Sequence, residues 1–309
     1  MPVDPNLLLH IADDLKPWAE IAAQLVKFGL PQAIAMIKRF QRRYADDAPE
    51  TRQLALQNGA DAARRIRDEI GKRIDRGDYT EEQARKAFQR PDVAKHAQDA
   101  LLVASQTSDP LIHEELAKLV AERLAQPEES YKTIVLRVAA DTLKNLNGRL
   151  LRVLGSAFAV LYIQPQLPSD EEINTANAEA FKVYVEGLEE TVAPFRSQDA
   201  PTPDEFMYLE ELGLAKLSSW TSSLGIHTSD DESRSSLLGP MTMQFYLQAM
   251  NTADPNAPRT PVISWLHDQM EGRGVDQFGL KAVRLTPVGF VLGYCMYCVA
   301  HGFPFKYPD

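Results

Sequence analysis

The chain has 309 residues, 43 acidic against 33 basic, for a formal charge of -10. Hydrophobic residues at 44% and charged residues at 25% match globular averages and exclude a disordered chain. The length favours two domains, and the acidic total confines any nucleic-acid contact to a local patch.

The N-terminus, MPVDPNLLLHIADDLKPW, has no basic region ahead of its short apolar run. It therefore does not read as a secretory signal, and a cytoplasmic location is expected. Leu8, Ile11, Leu15, Trp18, Ala22 and Leu25 follow a 3-4-3-4-3 spacing that predicts one helical stripe, with a kink at Pro17. Pro49 opens the next long helix, with Leu56, Ala60, Ala63, Ile66, Ile70 and Ile74 on one face and Arg64, Arg65, Lys72, Arg73 and Arg76 mostly off it. Gly77 sits where a left-handed cap is wanted, and Thr80 with Gln83 makes a capping box.

Arg90-Pro91 starts another helix, and Ser108-Asp109-Pro110 launches one that buries Ile112, Leu116, Leu119 and Arg123 or Leu124. The following helix is expected to bury Ile134, Val135, Val138 and Leu143. Asn147-Gly148 then turns the chain into an apolar helix with Leu150, Leu151, Leu154, Phe158 and Leu161. The apolar stretches 153–163 and 288–300 fall well short of the ~20 residues that span a bilayer, so both are expected to be buried helices. Pro165 and Pro168 form a hinge, and Ser169 with Glu172 caps a connecting helix through Leu188.

The polar, proline-rich stretch 194–203 is the best linker. Beyond it, Thr202-Pro203 opens a short helix closed by Gly213, and a strand is expected in AKLSSW. A serine-rich acidic loop, 218–236, leads to short helices over 241–250 and 262–271. A second strand follows in LKAVRLT, and then a closing helix capped by Thr286.

Chemistry-bearing motifs are sparse. Cys295 and Cys298 form a lone C-x-x-C with His301 three residues on. With no second pair to complete a zinc site, they read as two small side chains of a buried helix. His113 heads HEELA, which lacks the second histidine of a zincin, and is expected to be a partly exposed helix residue. Entry motifs for serine hydrolases, P-loop proteins and Rossmann folds are missing, so no catalytic residue, metal or cofactor is assigned. From Lys38 to Arg76, eleven basic residues stand against seven acidic ones, a local surplus of four. Arg64, Arg65, Lys72 and Arg73 form the candidate patch for nucleic acid or a partner, although solvated i,i+4 charge pairs explain most of the run.

Two stretches carry a family pattern. HEELAKLVAERLAQPEESYKTIVLRVAADTLKNLNGRLLRVLG, from His113 to Gly155, resembles a helix-break-helix segment of the bacterial Abi-alpha (abortive infection) proteins and related uncharacterised bacterial families. YLEELGLAKL at Tyr208 to Leu217, paired with VRLTPVGFVL at Val283 to Leu292, resembles their C-terminal motif. A short helix ended by Gly213, two strands and a Thr-capped helix form the skeleton of a winged-helix-like unit, here carrying an insertion over roughly 221–279. Leu212, Gly213, Leu214, Leu285, Thr286 and Gly289 read as fold determinants.

The expected fold is therefore mainly α: a helical bundle over 1–165, a connecting helix and linker over 166–200, and an α-rich winged-helix-like domain with a small β element over 201–309. The resemblance implies a non-enzymatic antiphage defence protein acting through protein partners or as a homo-oligomer. The alternative is a nucleic-acid-binding regulator.

Overall fold

A computed structural model describes residues 42–43, 46–126, 130–163, 186–187, 189–196, 201–217 and 283–307. The expected stripe at 8–25, the hinge at Pro165, the helix capped by Ser169, and the insertion with its acidic loop and two helices lie outside these residues. The described chain is mainly helical with one two-stranded sheet. It divides into two compact units, 1–148 with 304–309, and 149–303.

The first unit holds α1 (Pro49–Asp75), α2 (Glu81–Phe88), α3 (Pro91–Ala104), α4 (Pro110–Ala125) and α5 (Tyr131–Thr142). Proline fits the first turn of α1, α3 and α4 because its missing N–H would have no helical partner there. The end of α1 needs φ of 78° at Gly77, so that Gly77 N–H and Asp78 N–H turn back to the carbonyls of Ile74 and Arg73. The Thr80–Gln83 box starts α2, and the Asp109 carboxylate accepts from Leu111 N–H at the start of α4.

α4 is the central helix of this unit, packed on α1, α2, α3 and α5, and twelve of its residues are buried. Its buried Ile112, Leu116, Leu119 and Leu124 follow the expected pattern. α5 departs from it: Val135 and the following Leu143 are buried, but Ile134 and Val138 face outward with Tyr131. The apolar residues of α5 encircle more of the helix than the unit has core to receive, and periodicity alone does not choose among them.

The second unit contains most of α6 (Gly148–Tyr162), followed by α7 (Pro203–Glu211), β1 (Ala215–Leu217), β2 (Val283–Leu285) and α8 (Pro287–His301). β1 and β2 pair antiparallel with Ala215 opposite Leu285 and Leu217 opposite Val283. Arg149 grips Glu205 through two nitrogens, at 2.5 and 3.0 Å. Although burial opposes its charge, the Arg149 guanidinium holds the Glu205 carboxyl below its usual range.

The six motif residues converge. Gly213 takes φ of 69°, turning Leu214 back to the end of α7. Thr286 donates its N–H to Leu214 O and its hydroxyl to Gly213 O, and the same hydroxyl oxygen accepts from Gly289 N–H. A Cβ at Gly289 would lie 1.8 Å from Leu214 O, so only glycine lets α8 start against this loop. Further along, Gly293 faces Leu154 O and Gly155 faces Met296 and Phe195, so α6 and α8 approach through their glycines. Phe158 fills the remaining space with Phe290, Tyr294 and Tyr297 at ring distances of 5.1–5.7 Å.

Two alanine substitutions test this account with opposite signs. Gly289→Ala should lower unfolding stability by about 3 kcal/mol or more, since the obstacle is backbone and cannot swing away. Gly71→Ala, inside α1 with nothing near its would-be Cβ, should raise stability by about 0.5–1 kcal/mol. Urea midpoints of the two variants provide the comparison.

Candidate functional site

Among the described residues, the largest concentration of buried charge follows the contact of α1 with α4. Asp61, Arg65, Glu69 and Arg73 recur every four residues along one line of α1, with alternating sign. Asp61 meets His113 at 3.2 Å, Arg65 meets Glu114 at 2.9 Å, and Arg73 meets Glu122 at 2.7 Å. Both partners of each pair advance together, so the two helices run parallel through the seam.

The seam is half-exposed at the Asp61 end and closed at the Arg73 end, where Glu69, Arg73 and Glu122 are all buried. Burial works against the Arg73 charge, and the adjoining Glu122 carboxylate more than reverses this, holding the guanidinium above its ordinary value. Burial also pushes up the neighbouring Tyr79 hydroxyl, which finds no hydrogen-bond partner. At the open end, burial again opposes ionisation, but hydrogen bonds from Arg65 and His113 hold Asp61 below the usual carboxylate range. His113 is itself buried, a correction to its expected partial exposure: Nε2 faces the carbonyls of Ala104 and Thr107 while Nδ1 faces Asp61.

The closed end also holds Phe305 and Tyr307. Arg73 Nη2 donates to Phe305 O at 2.5 Å, Tyr307 N–H donates to Glu122 Oε1 at 3.1 Å, and the Lys132 ammonium lies 5.3 Å from the centre of the Tyr307 ring. Phe305 is fully buried. One cation and one carboxylate thus take the carbonyl and the N–H that an extended segment presents two residues apart.

The four-residue basic patch is not assembled as expected. Arg64 and Lys72 face solvent, facing Asp61 at 3.3 Å and Glu69 at 3.9 Å. Arg65 is half-buried between Asp61 and Glu114, and Arg73 is 1% exposed. The correction has a simple cause: Arg73 shares the line of Glu69 toward α4, and its long side chain carries the charge to Glu122. The spacing 61-65-69-73 was the available signal for the seam, whereas the backbone groups of residues 305 and 307 leave none in sequence. Cys295 and Cys298 are buried within α8. Among the described residues, no three His, Cys, Asp or Glu side chains gather as a metal ion would need, and no helix is long and apolar enough to cross a membrane.

A second buried titratable group lies on α3. His96 is buried, its Nε2 has no hydrogen-bond partner, and burial, reinforced by the Arg123 charge, pushes it down to about 4.

Arg73→Ala should destabilise the protein by about 3–5 kcal/mol, because Glu122 would remain buried without its cation, whereas Arg64→Ala and Lys72→Ala should stay within about 0.5 kcal/mol. Denaturation midpoints distinguish these outcomes. For His96, the unfolded chain binds the extra proton first, so its contribution is present above pH 6.5 and is lost as pH falls toward 4. The loss should reach roughly 3 kcal/mol, and His96→Gln should remove it from the pH profile of stability.

No curated protein and no solved structure matches the chain. A family model does match it over residues 38–232, well over half of its length. That span includes the whole α1–α4 seam, and the chain belongs to this uncharacterised family.

Proposed function

We propose that the protein is a non-enzymatic component of antiphage defence of the abortive-infection type, located in the cytoplasm and acting through self-assembly or a protein partner. The observation that carries this reading is the outward face of α5. Tyr131, Ile134 and Val138 are 63%, 52% and 41% exposed at spacings of three and four, one stripe of a regular helix. Large apolar groups aligned in this way favour protein contact, and covering them would contribute roughly 1 kcal/mol each. A second copy of the chain is the favoured occupant, because an isologous dimer buries the same stripe from both sides.

The defence setting rests on the sequence resemblance to Abi-alpha proteins; the stretches that carry it, 208–217 and 283–292, meet in this chain through Thr286 and Gly213. The nucleic-acid alternative draws on Arg64 and Lys72, the exposed members of the basic set, but each already faces a carboxylate. It requires affinity that falls steeply with salt.

Light scattering over a concentration series should give a mass above 34.5 kDa for the wild-type chain. Ile134→Glu with Val138→Glu should return it to the monomer without changing its helical circular dichroism. Cells expressing the wild-type gene should lose at least ten-fold in phage plaque yield, and the double variant should restore it. A wild-type chain that stays at 34.5 kDa throughout, or gives no protection, overturns the reading.

A further inference from the structure

At the open end of the seam, both ring nitrogens of His113 face hydrogen-bond acceptors. Nδ1 lies 3.2 Å from Asp61 Oδ2, and Nε2 lies 2.9 Å from Thr107 O and 3.1 Å from Ala104 O. Carbonyl oxygens only accept. The Asp61 carboxylate is committed in the same way, because Arg65 Nε meets that same Oδ2 at 2.9 Å and Arg64 Nη1 meets Oδ1 at 3.3 Å. A neutral imidazole carries one N–H and one lone pair, so either tautomer would aim its lone pair at an oxygen. His113 is buried, and a mismatched nitrogen cannot turn to bulk water instead. The imidazolium, with an N–H on both sides, is the form that satisfies every one of these contacts.

The ring joins three helices. Asp61 belongs to α1 and His113 to α4, while Ala104 is the last residue of α3 and Thr107 lies in the turn that leads on to α4. Carbonyls in the last turn of a helix have no partner within it and carry the negative end of its dipole, so the end of α3 favours a cation. The charged groups around the ring are Asp61, the two arginines bound to it, and Glu114, the neighbour on α4 that pairs with Arg65. From α3 and the turn the ring meets carbonyls, and Asp109, where the turn ends, directs its carboxylate to Leu111 N–H at 2.9 Å and Gly148 N–H at 2.6 Å. The turn held by His113 thus also carries the residue that fixes the start of α6.

We propose that His113 is a pH-operated latch: its imidazolium holds the turn between α3 and α4 against α1, and loss of one ring proton releases that turn. The inference is independent of the α5 stripe and does not rely on the defence reading. A proton held by the closed turn favours the closed turn, so the latch contributes at low pH and is lost as pH rises through the titration of the ring. His96 acts with the opposite sign, its contribution being lost as pH falls.

Nitrogen NMR of the full-length protein carrying isotope-labelled histidine, followed between about pH 5 and 8, reads the charge of the His113 ring. Hydrogen exchange over the same range reads the protection of the Gln106 and Thr107 amides, which donate to the carbonyls of Val103 and Ala104. That protection, corrected for the intrinsic pH dependence of exchange, should fall about ten-fold as the ring passes from two N–H groups to one. His113→Gln, which cannot titrate, should show one level of protection throughout. Asp61→Asn should lower the pH at which the ring titrates by about one unit, since the opposite charge is gone. Constant protection while the wild-type ring changes charge overturns the proposal, and so does a wild-type ring that keeps one charge over the whole range. Both of these readings come from the wild-type chain, so they decide the matter even if a variant fails to fold. A His113→Gln protein that keeps the pH dependence, or an Asp61→Asn protein whose ring titrates unchanged, overturns it as well.

Discussion

The Arg73–Glu122 pair sets the terms for the first unit. Two opposite charges withdrawn from water are tolerable only while each keeps its partner and its remaining hydrogen bonds. Here one helix supplies the cation, another the carboxylate, and residues 305 and 307 the extra carbonyl and N–H. The pair therefore specifies more than it stabilises. Sliding α1 by one turn against α4 would set Arg73 beside Lys118 or Gln126 instead of Glu122 and mismatch every pair above it. An apolar contact between the same helices would tolerate that slip far better, which is a physical reason for a chain to keep buried charges at this interface.

The second unit obtains its specificity by a different route. It fixes register with close backbone approaches, at Gly289 against Leu214 and at Gly293 against Leu154, and fills the space beside them with rings. Thr286 links the ends of β1 and α8 with one side chain that both donates and accepts. Steric exclusion acts here as charge pairing acts in the first unit: both make the native alignment the one arrangement without a large penalty.

Much of this was legible in the sequence wherever a local signal suffices. Prolines at first turns, the capping box at Thr80, the Thr202-Pro203 helix start, and glycines that turn the chain into the left-handed region act within four residues, and the helices begin and end where they predict. The small strands and the Thr286 cap were legible for the same reason. Legibility stopped where a side chain must choose between neighbours distant in sequence. Arg73 and Lys72 look alike in a basic run, and only the position of Glu122, forty-nine residues later, makes one a buried anchor and the other a solvated charge. Ile134 and Val138 failed in the opposite direction, because an apolar residue reads as core whether or not the fold has room for it.

These two kinds of misreading bear on function together. An arginine drawn inward removes a charge from the surface that would have met phosphates, and an isoleucine left outward adds apolar area that favours protein contact. Among the described residues, both corrections weaken the case for phosphate contact and support the association proposed for α5. At the closed end of the seam, Arg73 and Glu122 already engage the carbonyl of Phe305 and the N–H of Tyr307, so this buried arginine is not available to a phosphate.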